Sequence, residues 1–177
     1  GHLIGEIIRR VSGDMPGTRL RTVAEGLDAD LWFGVPPAEQ HRCAELIWAS
    51  PMGSTAIELE GLTGDPLMVT LGYFNPPGYS SVGVVNTEAW RSAQVPSTNG
   101  HGTATGVARF YAALLEPDRL ISPGLLAEAT RVQSEGFCPV LDEDTVVGLV
   151  FKPTVARRPF GPNPRSFGHF GTGGALG

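Results

Sequence analysis

His169 stands in the stretch FGHFGTGGALG, flanked by Phe167 and Phe170 and followed by Gly171, Gly173, Gly174 and Gly177. Imidazole is the side chain whose proton equilibrium lies nearest neutral pH, so it can hold or pass a proton and can donate or accept a hydrogen bond. The flanking aromatics favour an extended strand, and the glycines remove the side chains that would hold another molecule off the backbone. A histidine on such a strand suits the wall of a cleft approached by a ligand. The alternative is a histidine satisfied inside a core.

Other chemistries are poorly served. A glycine-rich phosphate loop needs its third glycine where Leu176 stands, and no G-x-x-x-x-G-K-[ST] occurs. His2, His41, His101 and His169 are scattered, with neither H-E-x-x-H nor C-x-x-C, so no metal site is expected and no cofactor is implied. No serine lies in G-x-S-x-G, and S-x-x-K is impossible because the only lysine, Lys152, has Leu149 at the serine position. Tyr73-Phe74-Asn75 has the form Y-x-N; it is either a catalytic tyrosine motif or a packed tyrosine followed by the turn Asn75-Pro76-Pro77-Gly78.

The elements that must position His169 follow from periodicity and breakers. Leu3, Ile4, Ile7, Ile8 and Val11 recur at helical spacing and Gly13 suits the C-terminal cap. Asp14 to Arg21 reads as a Pro/Gly turn region, and GLDADLWFGVPP, residues 26–37, as a short apolar segment closed by Pro36-Pro37. A helix is expected from Pro37 through Trp48, and a strand or short helix over 67–74. Asn86 or Thr87 can cap a short helix holding Trp90, and PSTNGHG reads as a loop in which Asn99-Gly100 supplies positive φ. Val107, Phe110, Tyr111, Leu114 and Leu115 form the stripe of a further helix, and Ser122-Pro123 opens another through Thr130. VVGLVF, residues 146–151, has strand length and composition. A turn-rich connection from Pro153 to Pro164 joins it to a second strand over 165–175. The acidic run Asp142-Glu143-Asp144 reads as a solvated turn, and Trp32, Trp48 and Trp90 as core. Helices first and paired strands after define an α+β class.

Bulk properties narrow the partners. With 177 residues, 41% hydrophobic and 18% charged, the chain can build one core, and a net charge of -5 without a basic cluster disfavours nucleic acid and anionic membranes. No stretch is long and apolar enough to span a bilayer. Cys43 and Cys138 read as two free buried thiols, which favours a reducing, cytoplasmic compartment. A chain opening inside a helix and closing inside a glycine-rich strand reads as a segment of something longer.

GHLIGEIIRRVSG, FNPPG, NTEAWRSAQVPSTNGHGTATGVARFYAALLE, ISPGLLAEAT and FGHFGTGG together resemble the serine β-lactamase and penicillin-binding-protein superfamily, on its class C and esterase-like branch. The third active-site motif there is K-T-G on an edge strand, often H-x-G in esterase-like members, the form of His169-Phe170-Gly171. The resemblance implies a β-lactamase/transpeptidase-like fold, present here in part: one domain segment over 1–177, mainly helical to residue 130 and strand-rich from 131 to the motif. It implies an acyl-enzyme hydrolase acting on a small-molecule ester, amide or β-lactam. His169 would hydrogen-bond the family's tyrosine or the substrate. Phe170, Gly171 and Gly173 would line the substrate, and Thr172 would offer its backbone N–H to the oxyanion hole. The S-x-x-K serine and lysine are absent, and the tyrosine would fall shortly before Gly1, so this segment is expected to be inactive alone. Histidine in place of the family's lysine removes a permanent cation and tilts the expectation from β-lactam toward ester. The rival expectation is a non-catalytic binding or interaction module that keeps the fold.

Overall fold

The computed structural model describes residues 1–47, 60–74, 79 and 83–171, without the side chains of 73 and 74. It divides into two compact units, Gly1–Arg109 and Phe110–Gly177.

The first unit opens with α1 (His2–Ser12), closed as expected by Gly13 at φ 79°, whose N–H bonds the Arg9 carbonyl at 2.9 Å. Its apolar stripe faces outward: Leu3 and Val11 are more than 80% exposed, and only Gly5 is buried, against Pro16 and Pro96. The expected turn region after it is instead the start of α2 (Pro16–Gly26), because Pro16 occupies the first helical position, where a missing N–H costs nothing. Gly17 lets α2 run onto β1 (Leu31–Phe33): a Cβ there would collide with the Phe33 carbonyl, and its N–H bonds Gln94 Oε1 at 2.8 Å.

The helix expected over 37–48 is a 3-10 helix ending at Arg42, and Trp48 lies outside the described residues. Long-range side chains decide this. Buried Gln40 donates to the Val35 and Glu88 carbonyls and to Ser92 Oγ at 3.2, 3.0 and 2.8 Å. Asn86 clasps both backbone groups of Leu46 at 2.8 and 2.9 Å, where the chain is no longer helical. The segment over 67–74 resolves to a helix, α3 (Gly64–Phe74), and Thr87 caps α4 (Glu88–Ser92) through its Oγ1.

PSTNGHG does not turn at Asn99-Gly100. Gly100 enters β2 (Gly100–Gly102), which pairs antiparallel with β1 in the register Phe33↔Gly100, Trp32↔His101 and Leu31↔Gly102. Asn99 is fully buried beneath it. α5 (Ala104–Leu115) follows, with the division between the units inside it. Ala24, Leu27, Ala29, Val35, Val85 and Val95 form the buried core of the first unit.

In the second unit Ser122 caps α6 (Pro123–Thr130), its Oγ accepting the Leu125 N–H at 3.2 Å. β3 (Ser134–Cys138) and β4 (Glu143–Val147) form an antiparallel ladder. The expected strand VVGLVF breaks at Gly148, where N–H groups are spent elsewhere: Gly148 donates to the Phe151 carbonyl at 2.8 Å and Leu149 to the Ala129 carbonyl at 3.1 Å. A Cβ on Gly148 would lie 2.5 Å from the Ala129 oxygen, so only glycine admits this turn. β5 (Lys152–Pro153) then pairs with β6 (Phe167–Gly168), which leads into the motif. The architecture is α+β, with three two-stranded antiparallel sheets among the described residues.

Candidate functional site

β6 delivers His169 to the surface from a firm base. The Phe167 ring packs 4.9 Å from Phe151 and 6.3 Å from Tyr111 between centroids, and Gly168 is buried. Burial pushes the Tyr111 phenol above its ordinary range. A cavity of about 310 Å³ opens beside this cluster, lined by Tyr111, Leu115, Phe160 and Phe167, with Asn163, Arg165 and Ser166 adding polar groups.

His169 is exposed, and its Nδ1 lies 2.8 Å from the Phe170 carbonyl oxygen. A carbonyl only accepts, so Nδ1 carries the proton in this contact, and in the neutral ring Nε2 keeps its lone pair for a ligand or proton donor. Phe170 is half-buried, its ring stacked on Phe160 at 4.4 Å with 18° between the planes. Gly171 is exposed and is the last described residue; Thr172 and Gly173 lie outside the described residues. Among the expected site residues, the structure therefore brings together His169, Phe170 and Gly171.

Three neighbours escaped the sequence reading: Phe160, Arg158 and Glu143. Arg158 lies over the Phe170 ring at 5.6 Å and pairs with Glu143 at 2.8 Å. Glu143 is not part of a solvated turn: it begins β4 with a side chain 16% exposed, and Arg157 approaches the same carboxylate at 3.8 Å. Asp142 alone of the acidic run keeps turn geometry, with φ 52°. An aromatic and an arginine pair shortly before an H-x-G strand were the available signal, lost in a connection rich in proline and glycine.

The other candidates separate from this strand. Tyr73 falls in the last turn of α3, and Asn75 lies outside the described residues. In the first unit His101 bonds the Asn99 carbonyl through Nδ1 at 2.8 Å and meets Trp90 edge-on at 5.8 Å. Burial, with help from the Arg91 charge, lowers its pKa, and the Asn99 carbonyl opposes this. Trp32 donates to Asp30 at 2.6 Å beneath the Arg21 guanidinium. Cys43 and Cys138 are half-buried free thiols. Among the described residues no helix is long and apolar enough to cross a membrane, and no group of three His, Cys, Asp or Glu side chains is placed to hold a metal ion.

No protein-family model matches the chain. It is 29% identical, over 186 aligned positions, to the esterase/β-lactamase LipL of Mycobacterium tuberculosis, covering all of this chain and 43% of that protein. Among solved structures it superposes with TM-score 0.74 on a penicillin-binding-protein homologue from Caulobacter crescentus, 35% identical, over 96% of this chain and 44% of that one. The same score relates it to a family VIII carboxylesterase, 32% identical, over 99% of this chain and 46% of the other. EstA from Arthrobacter nitroguajacolicus Rue61a also scores 0.74 at 25% identity, over 98% and 47%. The chain thus spans less than half the length of each relative. Its fold is the β-lactamase/transpeptidase-like fold, present in part, and its sequence is similar to proteins named as a penicillin-binding-protein homologue, an esterase/β-lactamase and a carboxylesterase.

Proposed function

We propose that this chain is the cleft wall of a serine hydrolase that transfers an acyl group from a small ester, amide or β-lactam to its own serine and then to water. The observation that carries the reading is the exposed imidazole of His169, held by its Nδ1–H on the Phe170 carbonyl with Nε2 open, in the H-x-G form of the esterase-like branch.

The nucleophilic serine, its S-x-x-K lysine and the tyrosine are supplied by sequence outside these 177 residues, which contain no S-x-x-K. In the first half-reaction a bond forms between the serine oxygen and the acyl carbon, and the leaving group departs with the proton the serine gave up. In the second, a water oxygen bonds to the acyl carbon, the bond from that carbon to the serine oxygen breaks, and the water's proton passes to the serine. His169 hydrogen-bonds the tyrosine or the substrate through Nε2, and the Thr172 N–H donates to the oxyanion beside the bare backbone of Gly171 and Gly173. An ester is favoured over a β-lactam, because an imidazole is a poorer permanent counter-ion for a lactam carboxylate than an ammonium.

Intact mass after exposure to a fluorophosphonate tests this, on the 177-residue chain and on a longer protein containing it. An adduct on the longer protein alone is the expected result. An adduct on the chain itself would place the nucleophile among its own serines and overturn the assignment. No adduct on either would favour the non-catalytic binding module.

A further inference from the structure

We propose that Phe160 and Arg158 are positioning residues for the His169-Phe170-Gly171 strand and that they act through the Phe170 ring. The inference rests on the reading of that strand as a cleft wall and deepens it.

The backbone ladder alone cannot fix this strand. β6 pairs with β5 over two residues, Gly168 with Lys152 and Phe167 with Pro153; that ladder stops before His169, and only a single bridge position follows it, at Phe170. The next residue with a firm side-chain anchor is Phe170. One side of its ring lies on Phe160 at 4.4 Å, nearly parallel, and the Arg158 guanidinium carbon stands 5.6 Å from its centroid. Arg158 is in turn fixed by Glu143 of β4 at 2.8 Å, a carboxylate largely withdrawn from water, while Arg157 bonds the Asp144 carbonyl.

The connection bearing both residues is closed on itself. Thr154 N–H bonds the Ser166 carbonyl at 2.8 Å, Ser166 N–H the Asn163 carbonyl at 3.0 Å, and Phe160 N–H the Thr154 hydroxyl at 3.1 Å. Val155 and Arg158 form an antiparallel bridge within it. It is therefore a braced strap between β5 and β6, and its one aromatic face lies against the motif.

The consequence for chemistry runs through one carbonyl. The Phe170 oxygen holds His169 Nδ1–H. Rotation of the Phe170 peptide would turn that oxygen away, release the imidazole and change how the chain enters Gly171. Clamping the Phe170 ring opposes this rotation, so a stack remote from the reacting atoms sets both the imidazole's tautomer and the direction of the following N–H groups.

NMR on the full 177-residue chain with labelled histidine and phenylalanine tests the clamp. Phe160→Leu is expected to abolish the ring-current shift of the Phe170 protons and to move the His169 ring carbons toward a tautomer average. Amide exchange at Phe170 and Gly171 should accelerate roughly three- to tenfold, the range an aromatic pair of this kind supports. Amides of Leu126, Gln133 and Gly148, bonded within the same unit as Phe160, should not change, which reports that this unit remains folded. Phe160→Tyr is expected to restore all three readouts, and Glu143→Gln to shift them in the same direction by less. A folded Phe160→Leu chain with unchanged His169 signals overturns the proposal, as does a Phe160→Tyr chain that behaves like Phe160→Leu. No readout needs turnover. Failure to find an acyl-enzyme would sink the hydrolase reading and leave the clamp standing; unchanged His169 signals would do the reverse.

Discussion

The carboxamide of Asn99 receives the Val95 backbone N–H at 2.9 Å in a site with no solvent exposure, while its NH₂ donates to the Trp90 and Ala93 carbonyls. One side chain thus satisfies three backbone groups at the end of α4 and fixes the entry to β2.

Removing it strands the Val95 N–H and the Ala93 carbonyl, while the Trp90 carbonyl keeps the Ala93 N–H. Asn99→Ala should destabilise the chain by about 2–4 kcal/mol, the cost of buried polar groups left unpaired plus a small cavity. Urea unfolding measures it; an unchanged midpoint would mean that water replaces the carboxamide.

Two glycines of α2 should respond oppositely to alanine. At Gly17 a Cβ meets the Phe33 carbonyl and the Gln94 carboxamide, so Gly17→Ala should cost roughly 1–3 kcal/mol. Nothing lies within 4 Å of a Cβ on Gly26, so Gly26→Ala should stabilise by about 0.5 kcal/mol through the unfolded state. Thermal melts of both variants suffice to check the opposition.

The pH dependence of His101 has a definite sign. Burial holds its folded pKa below the unfolded value, so the unfolded chain takes up the proton first as pH falls. Its contribution is neutral at alkaline pH, and stability is lost as pH drops below about 6.5, levelling only below the folded pKa. The difference in unfolding free energy between wild type and His101→Gln should therefore shrink from pH 8 toward about pH 5. A pH-independent difference would show that His101 is solvated.

In a longer protein that carries the nucleophile, His169→Ala should lower kcat for a short-chain ester on the order of a hundredfold, with KM little changed. His169→Lys should raise hydrolysis of a chromogenic cephalosporin relative to that ester. Steady-state kinetics on both substrates decides this, and a lysine variant with an unchanged ratio would remove the electrostatic argument for ester preference.

Legibility in the sequence followed the range of the interaction. Gly13, Thr87 and the Ser122-Pro123 pair cap their helices through contacts within a few residues, and each was readable from its immediate neighbours. Of the strand expected over 165–175, Phe167 and Gly168 pair as β6, while Arg165 and Ser166 do not and 172–175 lie outside the described residues; that pair was readable because aromatic and glycine are adjacent. What escaped was settled at a distance. Gln40 spends its amide on Glu88 and Ser92, positions 48 and 52 residues away, and Asn86 reaches 40 residues back to Leu46. With those bonds the expected α-helix is instead a 3-10 helix that ends at Arg42. Gly148 stops a β-branched run because its amide belongs to another turn, and α2 was hidden by a proline that marks a helix start as readily as a loop. Glu143 shows the same effect at the site: three consecutive acids read as solvent-facing, yet two arginines beyond the ladder draw one inward.

The strap between β5 and β6 also bears on engineering and divergence. It meets the motif through the faces of Phe160 and Arg158, while Pro162, Asn163 and Pro164 at its tip are exposed. Exposed tips tolerate substitution and insertion. A side-chain change at residues 162–164 can reshape the surface beside the cavity and leave the Phe160 and Arg158 contacts with Phe170 in place, provided the Asn163 carbonyl keeps the Ser166 N–H. The surface there can thus diverge while the contacts around Phe170 are inherited intact, and a reporter peptide or affinity tag can be carried at that tip.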